Sequence, residues 1–433
     1  MKCIFLRAVS IGQTLKMHKV VVTGMGMVSP LGVNCEDSFA QALSGHGAVG
    51  NAPDAILKWL PNALAAVVPD HAFAQLEPHE QGLDRAVQLA LIASREALSD
   101  AQFDRSRLAL ERVGINVGVG LAGAVTLDAL YKRFYEKLHS GDARQNPIVV
   151  HPLSVPRLMP NAAAAAISME NGFKGATQTY CVACASSAMA VGEAYRSIKH
   201  GYLDVVVVVG TEAMIAQGAL IAWNALRVLA KPNPQNIAAS CRPFAADRNG
   251  FVMGEGAACL ILESQEHAQR RGARIKARLS GYATSSDAAH ITAPDCEGQI
   301  RAMRGALEDA ALAPQAISYI NAHGTATEIG DVVETQSIRA VFGEHANTVM
   351  VSSTKSMHGH LIGAGGATEL ALSIMMLNSG SIAPTAYLDQ VDPQCDLDYV
   401  PIVARHQQAL QAVMSNSFAF GGSNAVLIAQ KPD

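Results

Sequence analysis

Apolar residues fall along this chain in two alternating patterns. Short runs such as Val205–Gly210 (VVVVVG) and Ala257–Leu262 (AACLIL) carry no polar alternation, which predicts strands buried on both faces. Longer stretches space their apolar residues three and four apart and predict helices at Leu83–Asp100, Ala185–Lys199 and Glu297–Ala311. Further strands are expected at Lys19–Thr23, Gly114–Gly118, Ile275–Gly281, Ile317–His323, Val349–Ser353 and Ala425–Ala429. Strands alternating with helices over most of the length imply an α/β architecture with largely buried sheets. The polar stretch Glu263–Arg274 is the expected seam. No repeat is visible in the sequence, so any duplication has to be structural.

Composition narrows the picture. Of 433 residues, 49% are hydrophobic and 16% charged, enough for a large core and too few charges for a disordered chain. A formal net charge of −4 supplies no basic footprint for nucleic acid. No apolar run reaches the roughly 18 residues that a membrane span needs. Eight cysteines in a chain of this length suit a reduced, cytoplasmic protein better than a disulfide framework. Met17 directly precedes the first patterned residues, HKVVVTGMG, so residues 1–16 are expected to be a disordered extension or an upstream start.

Four stretches carry candidate chemistry. In TYCVACASSAM, residues 179–189, extended chain gives way to small residues and a helical pattern. Cys184 therefore sits at a strand-to-helix turn, where unpaired N–H groups favour a thiolate and hence a nucleophile. Cys181 and Cys184 also allow other readings: two packed thiols, a redox pair without the usual Trp/Gly-Pro context, or half of a zinc site lacking further ligands. Cys181 fits a packed thiol in the strand. In INAHGTATEIGDVVET, residues 320–335, an apolar strand delivers His323 into a Gly-Thr turn, and a helix starts near Asp331. In VSSTKSMHGHLIGAGGATELA, residues 351–371, a strand ends in Lys355, His358 and His360, and a glycine-rich helix entry precedes Glu369. In SNSFAFGGSNAVLI, residues 415–428, Phe418 and Phe420 lead into Gly421-Gly422, either core beside a tight turn or a mobile gate.

These stretches, with VVVTGMGMVSPLG at 20–32 and RPFAADRNGFVMGEGA at 242–257, together resemble the β-ketoacyl-acyl carrier protein synthases. They are most similar to the elongating condensing enzymes of type II fatty acid synthesis, the synthase I/II group. The resemblance runs from about His18 to Ile428. It implies the thiolase fold, two βαβαβαββ halves in a five-layer α-β-α-β-α sandwich, here 17–272 and 273–433, usually as a homodimer. It assigns Cys184 as nucleophile, His323 and His360 as the paired histidines, Lys355 as the motif lysine, and Glu334 and Glu369 as their supports. Phe420, Gly421 and Gly422 become the gate and, with the Cys184 N–H, the oxyanion hole. Asp287 and Thr292 fall in the second gating loop, and Trp223 and Phe418 in the acyl pocket.

The implied reaction is the decarboxylative condensation of malonyl-acyl carrier protein with an acyl chain held on Cys184. It needs no metal or redox cofactor, because both substrates arrive on the phosphopantetheine of acyl carrier protein. Arg227 and Lys231 match one carrier-docking segment; the other, Glu77–Gln81, lacks the usual lysines. Four departures bear on substrate: Ala419 where Gly is usual, His358 for Thr, Trp223 for Phe, and Glu328 after the His-Gly-Thr-Ala-Thr run. They leave room for an alternative, a condensing ketosynthase of a type II polyketide or aryl polyene pathway. Such an enzyme would pair with a Cys-less, chain-length-factor-like homologue.

Overall fold

The structure, a computed structural model, describes residues 17–140 and 150–432; the expectation for residues 1–16 lies outside them. Ten strands form one sheet: β1 (Val20–Val28), β4 (Val113–Gly118), β5 (Thr177–Tyr180), β6 (Val205–Glu212), β8 (Gly256–Ser264), β9 (Ala277–Ser286), β10 (Tyr319–Asn321), β11 (Met350–Ser352), β12 (Ala412–Ala419) and β13 (Ser423–Gln430). A small three-stranded sheet, missed by the sequence pattern, holds β2 (Val49–Asn51), β3 (Leu64–Ala66) and β7 (Met253–Gly254).

The strand order is β11-β10-β12-β13-β9-β1-β8-β6-β4-β5. This order contains the duplication that the sequence hides. In each half, counted along the chain, the strands stand in the order third, second, fourth, fifth, first. In each half, too, the second strand runs parallel to the third and fourth, while the fifth is antiparallel to both its neighbours. The principal helices complete βαβαβαββ in each half. The halves join where Val20–Val22 of β1 pair with 277–279 of β9.

Burial explains the layering. Every residue of β1, β6, β8 and β12 is buried, so both faces of these strands need cover. Helices Arg85–Asp100 and Ala162–Asn171 cover the outer face of the first half, and Cys296–Ala310, with Glu328–Phe342 beside it, covers the second. Ser186–Lys199 and Gly365–Ser379 pack against each other between the halves, giving the α-β-α-β-α sandwich.

Several bounds differ from expectation. β1 continues past Thr23 to Val28 through a bulge between Val22 and Gly24. The helix after His323 starts at Glu328 rather than near Asp331. The polar stretch Glu263–Arg274 holds the end of β8 and the helix Gln265–Arg270, capped by the Ser264 side chain.

The sandwich brings β4 against the start of the Ser186–Lys199 helix. A Cβ added at Gly118 would lie 2.3 Å from the Cα and N of Ser187. Overpacking there costs about 1–3 kcal/mol. Gly118→Ala is therefore expected to lower the melting temperature by several degrees and to slow alkylation of Cys184. An unchanged melting temperature and alkylation rate would contradict this contact.

Candidate active site

After β5 the chain makes one 3-10 turn, Ala183–Ala185, before entering the helix Ser186–Lys199. Ala183 takes φ 45°, the left-handed region that costs a non-glycine residue about 1 kcal/mol. Ser186 offsets this cost: its Oγ donates to the Ala183 carbonyl (2.7 Å) and accepts from the Val182 N–H (2.8 Å). The turn places Cys184, 7% exposed, at the helix entrance in the middle layer. Cys181 does not behave as the packed strand thiol expected of it. It lies one residue beyond β5, is exposed, and points its Sγ at the Gly120 carbonyl (3.2 Å). β5 ends the sheet, so the chain leaving it lacks a covering strand on one side.

Three strand ends deliver the partners of Cys184. β10 leads to His323, and β11 to a helical turn Lys355–His358 followed by His360. His360 Nε2 stands 3.0 Å from Cys184 Sγ. The Ile362 N–H points at His360 Nδ1 (3.2 Å), which assigns the hydrogen of a neutral ring to Nε2, facing the sulfur. One ligand atom each from Cys184, His323 and His360 lies within 4.8 Å of the other two. A thiophilic divalent ion would suit that spacing and would block the nucleophile.

The acidic residues support this cluster in two ways. Glu334 accepts the backbone N–H groups of His323 (2.8 Å) and Gly324 (2.7 Å) and the Asn416 side chain (3.1 Å), fixing the turn that presents His323. Glu369 holds Lys355 in a buried ion pair. Both members of that pair stand outside the cavity lining, so Lys355 acts through its charge rather than by touching substrate.

The electrostatics follow from burial. Burial, reinforced by the Lys355 charge, pushes both His323 and His360 well below the ordinary imidazole value, so both are neutral at pH 7. Burial raises the Glu369 carboxyl to about 7, with Lys355 pulling the other way. For Cys184, burial pushes the thiol up to about 12, against the pull of Lys355 and of the Phe420 and Cys184 N–H groups. Burial prevails over these donors, so the resting group is the thiol. Lys355 is the largest opposing influence. The double variant Lys355→Met/Glu369→Gln, which avoids an unpaired buried charge, should make the thiolate harder to form. Its alkylation profile with iodoacetamide should move to higher pH by about one unit or more. A profile that stays in place would remove Lys355 from this role.

Opposite the sulfur, β12 and β13 are joined by Phe420, Gly421 and Gly422. The two glycines take φ 87° and 75°, a consecutive left-handed pair that side chains rarely adopt. The Gly421 N–H donates to the Ile291 carbonyl (2.7 Å) and the Asp287 N–H to the Gly422 carbonyl (2.8 Å). Asp287 Oδ1 also accepts from Asn424 (2.6 Å), so the loop carrying Asp287 and Thr292 is tied to the gate. Between them a cavity of about 430 Å³ runs from Cys184 and His323 past Trp223 and Phe418 to Thr292 and Arg227.

The structure sorts the remaining sequence expectations. Arg227 and Lys231 are exposed, Arg227 at the cavity mouth, where Glu328 also lies. Ala419 ends β12 outside the positive-φ region, so its methyl group is accommodated in this gate position. His358 corrects its expected bearing on substrate. It is buried away from the cavity and bonds Thr354 Oγ1 (2.9 Å) and the Gly359 carbonyl (2.8 Å), and burial pushes it down to about 3. Sequence reasoning missed the Ile291 carbonyl, Phe251, Asn416 and Asn424. Asn416 and Asn424 left a signal: they are polar side chains in strands that are otherwise buried and largely apolar.

Comparisons with known proteins agree with this geometry. Residues 17–268 match the family described as Beta-ketoacyl synthase, N-terminal domain, and residues 276–389 match Beta-ketoacyl synthase, C-terminal domain. A 3-oxoacyl-[acyl-carrier-protein] synthase 2 from Staphylococcus aureus is 39% identical over 420 residues, covering 95% of this chain and 98% of that one. A beta-ketoacyl synthase crystal structure from Burkholderia phymatum superposes with a TM-score of 0.86 at 36% identity, covering 96% of this chain and all of that one. The ishigamide ketosynthase/chain length factor gives a TM-score of 0.85 at 31% identity, again over 96% of this chain and 100% of that one.

Proposed function

The chain belongs to the β-ketoacyl synthase family, and from that premise we propose how its residues extend an acyl chain as a 3-oxoacyl-[acyl carrier protein] synthase. The enzyme is an acyltransferase of fatty acid elongation. Cys184 attacks the thioester of an acyl-carrier protein, and the N–H groups of Cys184 and Phe420 receive the oxyanion. The Cys184 S–H bond breaks as the new C–S bond forms, its proton goes to the departing carrier sulfur, and the acyl chain stays on Cys184. Malonyl-carrier protein then places its thioester carbonyl against neutral His323 and His360, which donate to the enolate formed as CO₂ departs. The carbanion attacks the acyl-Cys184 carbonyl, releasing 3-oxoacyl-carrier protein and the Cys184 thiolate, which takes a proton from water to restore the thiol. The observation that carries this reading is the convergence of Cys184, His323 and His360 within 4.8 Å at one end of a gated cavity.

The substrates bring their own phosphopantetheine, and the reaction draws on no further cofactor. Arg227 and Lys231, exposed near the mouth, supply positive charge for an acidic carrier protein. The chain divides functionally at 272/273 into a nucleophile half and a histidine-gate half. Two copies pair through the β5 edge and the helix Ala124–His139, whose Leu127, Tyr131, Phe134, Tyr135 and Leu138 are all exposed. The seven cysteines among the described residues are free thiols, which supports a cytoplasmic setting.

Intact-mass analysis with a panel of acyl-carrier proteins tests the reading. The chain should gain one acyl mass, mapped to Cys184, and lose it when malonyl-carrier protein is added, with 3-oxoacyl product appearing. An acyl mass on Cys181, or decarboxylation without chain extension, would refute it. The likeness to a ketosynthase/chain length factor favours a second reading, in which the same face takes a Cys-less homologue. A solution mass of twice 45.5 kDa for the isolated chain would decide for the homodimer.

A further inference from the structure

A row of rings links the gate to the histidine that touches the nucleophile. The Phe420 ring stacks on Trp223, with centroids 6.1 Å apart and planes at 26°. Trp223, on the helix Gln217–Ala225, meets Phe251 edge-on at 5.7 Å and 77°. Phe251, 3% exposed, meets His360 edge-on at 5.2 Å and 80°. His360 is held at Nδ1 by Ile362 and at Nε2 by Cys184. Those two hydrogen bonds and the bond to Cβ locate the ring plane but leave it a small tilt, because hydrogen bonds bend easily. The flanking rings of Phe251 and His323 (5.4 Å, 82°) set that tilt.

We propose that Trp223 and Phe251 are positioning residues: through them the place of the Phe420 gate sets the tilt of His360, coupling acyl loading to readiness for condensation. The proposal rests on the gate and histidine roles given above and goes beyond them by naming the connection. With Phe420 stacked, the indole holds Phe251 against the imidazole. When the gate swings aside for an acyl chain, the indole loses its stacked partner and shifts, and Phe251 moves with it to hold the imidazole at the tilt from which it donates. Acyl loading depends on the thiol and the two N–H donors, whereas condensation requires His360 to donate along one direction. Loss of the relay therefore falls on the second step. It should cost roughly three- to tenfold in condensation rate, the worth of one aromatic pair.

The chain itself provides the probe. It has two tryptophans, and Trp59 is 65% exposed and has no part in these ring contacts, so Trp59→Phe leaves Trp223 as the reporter. In that background, loading Cys184 from dodecanoyl-carrier protein should change the Trp223 emission, and Phe420→Ala should abolish the change. Phe251→Leu should keep the emission change, since the gate still moves, but slow condensation from the preloaded enzyme more than it slows loading. Phe251→Tyr, which keeps the ring, should restore it. Trp223→Leu should show the same kinetic split, which guards against a misfolded Phe251 variant. Loading with unchanged emission overturns the relay, as does an equal slowing of both steps or failure of the Tyr variant to recover. Absence of any acyl mass on the parent protein would instead refute the synthase reading itself.

Discussion

Cys184→Ala takes no acyl group from any acyl-carrier protein, and condensation falls by at least about a thousandfold. No neighbouring group replaces the lost sulfur. Cys181 faces the Gly120 carbonyl outside the cavity, and the threonine hydroxyls that line the cavity are not bonded to either histidine. The substitution removes one atom from a buried turn whose shape is held by Ser186 and by its neighbours, so the fold should survive. Malonyl-carrier protein should still lose CO₂ on this variant, because the donors for the enolate are His323 and His360 rather than the sulfur. Peptide mapping after incubation with radiolabelled acyl-carrier protein checks both halves of the claim. Acyl label on the alanine variant, or loss of decarboxylation together with loading, would contradict the division of labour.

The parts of this site that the sequence made legible are those tied to local pattern. A strand running into small residues located Cys184, and strands running into Gly-rich turns located His323, Lys355 and His360. Each of those signals lies within about a dozen residues. The family resemblance implies Glu334 and Glu369 only as supports of the lysine and histidine cluster, and the geometry gives each its partner, the His323 turn for Glu334 and Lys355 for Glu369. What pattern could not show depends on chain brought together from far away. The Ile291 carbonyl on the gate is a backbone atom and leaves no sequence signal. Phe251 meets His360 and Trp223 through the sandwich, and in sequence it reads as one more core aromatic. The duplication is invisible for a related reason: strand order and direction repeat between the halves, while the residues that fill them do not.

The same logic separates the departures that bear on substrate from those that do not. From the sequence His358 is expected to bear on substrate, because it stands beside Lys355 and His360 at a strand's end and replaces the usual Thr. Its ring instead bonds within its own turn and is kept neutral by burial. Trp223 and Glu328 do reach the cavity, one on the gate ring and one at the mouth. Chain-length preference should therefore respond to Trp223 and carrier choice to the mouth, where Arg227 and Glu328 carry opposite charges.

His323→Ala should load an acyl chain at near the normal rate and then fail to extend it. Loading uses Cys184 and the two N–H donors, none of which bonds the His323 side chain. Condensation needs two neutral donors at the enolate oxygen, and removing one such donor costs about 10²–10³-fold. Rapid-quench measurement of each step separately reads the split; equal loss in both would reassign His323 to holding the fold. The pH dependence carries a second check. Burial and the Lys355 charge keep both imidazoles well below 6.5, so lowering pH from 8 to 6 should not protonate them. Neither imidazole should therefore supply a limb between pH 8 and 6. The group of this cluster that titrates there is Glu369, at about 7. The Lys355→Met/Glu369→Gln variant, which lacks it, should condense from preloaded enzyme with a flat profile across that range. A limb centred near 6.5 that persists in that double variant would mean an ordinary, solvated imidazole, which a side chain 9% exposed is not.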